Sequence, residues 1–99
     1  MSENEKISWI FLSIAMASQK APADYNGISM IADGINHAVP THKELQSSIT
    51  WLINKGFVVS SNKKYQLSDT GKLIYTRASE NENSLMSIWK NVEKSLEKD

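Results

Sequence analysis

The residues best suited to chemistry in this chain make hydrogen bonds and are not nucleophiles. Between positions 41 and 54 stand Thr41, His42, Lys43, Gln46, Ser47, Thr50 and Asn54, interleaved with Leu45, Ile49, Leu52 and Ile53. At the helical period the apolar set shares one face, and the polar set looks away from it. Ammonium, amide and hydroxyl groups are the types that bond phosphates and the base edges of duplex DNA. A helix laid in a major groove uses its N-terminal half most, which favours Lys43, Gln46, Ser47 and Thr50. Thr41 and His42 stand at the helix start, where unpaired amides attract a phosphate. Lys63 and Lys64 supply two further cations downstream. A face kept only for solubility would more usually carry Glu and Lys, because short hydroxyl residues are poor helix fillers.

Catalytic groupings are missing from the pattern. No glycine-rich phosphate loop and no serine elbow motif is present, and there is no cysteine. Asp33, His37, His42 and Glu44 fall close together, but their spacing matches no familiar ligand set. The expectation is a binding protein, not an enzyme, with no metal and no cofactor.

These residues need a scaffold that holds them outward. Thr41 and Glu44 have the spacing of a capping box, and Gly56 suits the left-handed residue that ends a helix. A helix is therefore predicted over residues 41–55. The period then shortens. Phe57-Val58-Val59 and Tyr65-Gln66-Leu67 read as two strands of a hairpin over residues 57–68, with its turn at 60–64 and its tip at 61–64. Upstream, Ile28, Ile31, Ala32 and Ile35 mark a helix over 27–37, and Gly34 within it implies a closely packed neighbour. Val39-Pro40 breaks the chain between the two helices, leaving a turn of three or four residues. Residues 19–26 read as a loop.

The flanks complete one domain over 1–99. Residues 7–17 are too short to span a membrane, and Glu3 and Glu5 ahead of them carry the wrong charge for a secretory leader. They read as a helix over 2–18, capped by Ser2 and Glu5. Its apolar residues make two stripes: Ile7, Ile10, Phe11 and Ile14, then Trp9, Leu12 and Met16. Such a helix must be covered on two sides. Ser68 opens a helix over 69–79 with Leu73, Ile74 and Tyr75 inward. A last helix over 84–98 carries Leu85, Ile88, Trp89, Val92 and Leu96 as one stripe. Trp51 lies off the core direction of its helix; it packs on the hairpin or the first helix, or faces a partner, and burial is the expectation.

Charge is unevenly spread. The whole chain is neutral, yet residues 34–79 hold six basic and two acidic side chains, a net charge of +4. The rest carries −4. The excess of cations falls on the same stretch as the hydrogen-bonding face. Arg77 is the only arginine, which argues against tight guanine recognition by a lone copy. Cysteine-free composition fits a reducing cytoplasm.

Glu44-Leu45, Leu52, Lys55-Gly56-Phe57-Val58, Tyr65-Gln66-Leu67-Ser68 and Gly71 together resemble the winged helix-turn-helix superfamily, in particular MarR-like and PadR-like bacterial regulators. The resemblance implies a mainly α fold with a small β-hairpin: a three-helix core, a wing and C-terminal helices. It implies a cytoplasmic DNA-binding transcriptional regulator whose wing-tip cations touch the DNA backbone or minor groove. Terminal helices in many such regulators form a two-fold dimer. Trp9, Leu12, Leu85, Trp89, Val92 and Leu96 are the residues expected at such an interface, unless helices 1 and 5 pack on each other within one chain. The alternative function is a protein–protein interaction module that keeps the scaffold without binding DNA.

Overall fold

The computed structural model describes residues 1–97 and is built around its first helix, α1 (Glu3–Ala17). Every residue from Ile7 through Ala15 is buried. α2 (Tyr25–Asn36), α3 (His42–Asn54), α4 (Asp69–Ser79) and α5 (Leu85–Glu97) all pack on it. The end expected for the last helix, Lys98, lies outside the described residues. The two buried serines of α1 cost little, because Ser8 Oγ donates to the Asn4 carbonyl at 2.7 Å and Ser13 Oγ to the Trp9 carbonyl at 2.8 Å. No helix among the described residues is long and apolar enough to cross a membrane.

α5 supplies the cover for the second apolar face of α1. Trp89 stacks on Trp9 with ring centroids 6.4 Å apart. Its indole N–H donates to the Glu5 carbonyl at 3.1 Å and to Ser8 Oγ at 3.0 Å, while the Trp9 N–H donates to the Ala32 carbonyl at 3.0 Å. Trp9, Leu12, Trp89, Val92 and Leu96 are thus buried within the single chain, and of the six residues expected between subunits only Leu85, 39% exposed, remains accessible. Helices 1 and 5 spend their stripes on each other. Asn91 fixes α5 to α4 by donating to the Ala78 carbonyl at 2.9 Å.

The hairpin pairs β1 (Val58–Ser61) with β2 (Lys64–Leu67), in register from Val58↔Leu67 to Ser61↔Lys64. The strands run further toward the tip than the sequence suggests. Only Asn62 and Lys63 form the turn, with φ of 54° and 61°. Both left-handed angles are what a two-residue turn of matching twist demands. Lys64 therefore belongs to a strand. By alternation it points to the opposite hairpin face from Tyr65. The predicted loop before α2 contributes a third, one-residue strand: Ala23 and Tyr65 exchange both backbone hydrogen bonds, at 2.9 and 2.8 Å.

Two glycines seat the hairpin between helices. Gly56, at φ 82°, turns the chain out of α3. Gly71 lies against the chain, and a Cβ there would overlap the Phe57 carbonyl oxygen. Ser68 closes the same junction, donating to the Gly56 carbonyl at 2.6 Å and accepting the Gly71 N–H at 3.0 Å.

Several expected inward residues turn out otherwise. Ser48 is buried in α3 where Ile53 was expected, and Ile53 is 37% exposed. Leu73 is exposed, and α4 turns Gly71 and Ala78 inward. Gly34 has open space around it, with nothing within 4 Å of an added Cβ. α2 starts two residues before the expected 27, because Asp24 caps it by accepting the Gly27 N–H at 2.9 Å.

Candidate nucleic-acid interface

α3 begins with a complete capping box. Thr41 Oγ1 accepts the Glu44 N–H at 3.0 Å, and the Glu44 carboxylate accepts the Thr41 N–H at 2.8 Å. Lys6 reaches the same carboxylate at 3.7 Å, tying α1 to α3. The Thr41 amide bond holds the Glu44 carboxyl below the usual carboxylate range, opposed by partial desolvation and assisted by the Thr41 hydroxyl and Lys6. A depressed folded pKa contributes stability above the unfolded value and loses it as pH falls through the folded one. The urea midpoint of the chain is accordingly expected to drop on acidification through the glutamate range, and Glu44→Gln to flatten that part of the profile. Thr41 is thereby committed to holding the helix start. Among the described residues, the amides of His42 and Lys43 are the first-turn donors left without a protein acceptor.

Beyond the cap, α3 presents its polar side as expected. Lys43, Gln46, Ser47, Thr50 and Asn54 are all exposed and line one shallow depression, with Trp51 as its wall. Trp51 is half-buried rather than buried. It leans on Phe57 at 6.4 Å, and Lys55 places its ammonium 5.5 Å from the ring centroid.

A second cleft adjoins the first. His42, Gln46 and Lys63 line it together with Asp24, Tyr25, Asn26 and Tyr65. Gln46 borders both depressions, so it joins the outer face of α3 to the hairpin tip. Tyr25 is the hub of this cleft, with Tyr65 stacked at 5.4 Å and His42 tilted against it at 5.4 Å. Burial raises the Tyr25 hydroxyl above the usual tyrosine range, reinforced by the neighbouring Tyr65 hydroxyl. The Ala23–Tyr65 bridge pins the hairpin to the start of α2, and Lys63 lines the same cleft as His42 and Gln46 of α3.

The eight residues singled out by sequence are thus all exposed, but the structure sorts them. His42, Lys43, Gln46, Ser47, Thr50 and Lys63 line the joined depressions; Thr41 and Lys64 line neither. Lys43, Lys63 and Lys64 form no ion pair among the described residues. Tyr25, Tyr65 and Trp51 complete the surface. Tyr25 and Tyr65 could have been found only by pairing residue 23 with residue 65, which no local pattern announces. No group of three potential metal ligands gathers among the described residues. Compared with known proteins, the chain matches no family model, no curated protein and no solved structure.

Proposed function

We propose that this chain is a winged helix-turn-helix protein that binds duplex DNA and serves as a transcriptional regulator or accessory DNA-binding protein in the bacterial cytoplasm. In this reading α2 and α3 are the helix-turn-helix, α3 enters the major groove, and the β1–β2 hairpin is the wing. The observation that carries it is the continuity of the surface. Through Gln46, the exposed cation, amide and hydroxyl groups of α3 run without a break to the lysine at the hairpin tip. Lys63 adds weight. It occupies a left-handed position where a lysine costs about 1 kcal/mol more than glycine. A turn selected for stability alone favours Gly there. The side chain is held out at the tip, with no ion pair among the described residues.

The test is fluorescence anisotropy of a labelled mixed-sequence duplex at two salt concentrations. Affinity is expected to fall with salt along a slope set by the number of phosphates engaged. An absence of binding at low salt overturns the proposal and moves the search to a protein partner.

A further inference from the structure

We infer that Trp51 is a DNA-backbone contact: its indole packs on a deoxyribose at the groove edge, and its Nε1–H donates to a phosphate of the same strand. This rests on the DNA-binding reading above and extends it to a residue whose type does not suggest it.

Three tryptophans allow an internal comparison. Trp9 and Trp89 are 2% and 7% exposed, and each donates its indole N–H to acceptors inside the chain. That is the ordinary state of a tryptophan in a folded domain. Trp51 departs from it on both counts. It is half-buried, and its indole N–H has no acceptor among the described residues. Its partner Phe57 leaves the ring wall of the α3 depression accessible.

Position decides what such a ring would meet. Trp51 stands one helical turn beyond Ser47 and one before Lys55, so all three share a flank of α3. When the N-terminal half of α3 lies in the groove, this flank faces one strand of the duplex. A flat apolar ring with a single N–H donor suits a sugar with its adjoining phosphate, and side-chain N–H donors commonly bond phosphate oxygens. Lys55 stands over the same ring, its ammonium 5.5 Å from the centroid.

The experiment uses the full chain and the labelled mixed duplex. Trp51→Phe keeps a ring against Phe57 and removes the N–H; Trp51→Ala removes both. Far-UV circular dichroism melts confirm that each variant is folded at the assay temperature. Trp51→Phe is expected to bind roughly 10- to 150-fold more weakly on every duplex, the value of one hydrogen bond to a charged acceptor. Its salt slope should match the wild type, because no charge is lost. Duplex should protect the tryptophan emission of the wild-type chain from acrylamide quenching, since Trp51 is the most exposed of the three tryptophans, and Trp51→Phe should abolish that protection. A folded Trp51→Phe chain with wild-type affinity, or wild-type emission that duplex does not protect, overturns the inference and leaves the proposed function standing. Failure of the wild-type chain to bind duplex at low salt sinks both.

Discussion

Trp89→Ala is expected to lower the unfolding free energy by about 3–5 kcal/mol, read as a fall in the urea midpoint followed by far-UV circular dichroism. Trp89 is the plug between α5 and α1. Its ring stacks on Trp9, and its N–H holds the Glu5 carbonyl and Ser8 Oγ. Truncation leaves a large apolar void, because neither helix can close it without moving Val92 and Leu96, both buried. Polar losses are the smaller part. Ser8 Oγ keeps its bond to the Asn4 carbonyl, so no buried hydroxyl is stranded. Trp89→Phe, which keeps the stack and drops the donor, should cost only about 1–1.5 kcal/mol. A domain of this size has a total stability of roughly 5–15 kcal/mol, so Trp89→Ala puts folding itself at risk. The same variant separates the two roles open to the α5 stripe. A residue of the chain's own core lowers a midpoint that does not depend on protein concentration. A residue of a subunit interface changes sedimentation mass and makes the midpoint concentration-dependent. An unchanged midpoint would mean that α5 does not close the core.

Local signals were legible in the sequence, and signals that need two distant segments were not. The capping boxes of α1 and α3 hold at Ser2–Glu5 and Thr41–Glu44, and Gly56 takes the left-handed angle that ends α3. Each depends on residues within a few positions of one another. Helix phase was harder. Ile53 reads as core by period, yet it is 37% exposed, and the smaller Ser48 is buried in α3 instead. Leu73 lost its inward place in the same way. Gly71 must be inside α4 because the Phe57 carbonyl leaves no room for a side chain, and that sets the phase of the whole helix. Asp24 caps α2 from within a stretch that reads as loop because of Ala21-Pro22 and its polar residues. The polar face of α3 was read from period alone. The Tyr25–Tyr65–His42 cluster was not, since it exists only once Ala23 pairs with Tyr65.

That pairing shapes a functional prediction with a large effect. Lys43→Ala combined with Lys63→Gly is expected to weaken duplex binding about 100-fold at low salt and to reduce the salt slope by about 2, one for each phosphate released. Lys43 lines one depression and Lys63 the other, and Gln46 borders both. The two lysines share no contact, so their effects should add. Glycine is the informative replacement at 63. It removes the cation while relieving the left-handed backbone at φ 61°, so lost affinity cannot be blamed on a collapsed turn. Lys64→Ala is the matched control, one residue away in sequence and pointing to the other face of the hairpin. It should change affinity less than threefold and leave the slope within about half a unit of wild type. Gln46→Ala, which removes no charge, should preserve the slope and alter the ranking of duplex sequences, because an amide at the centre of the surface reads base edges and does not neutralise phosphates. Equal losses from Lys63→Gly and Lys64→Ala would mean that attraction to the hairpin is diffuse and that the cleft does not place its lysine. No loss from the double variant would remove α3 and the hairpin from the proposed binding surface altogether.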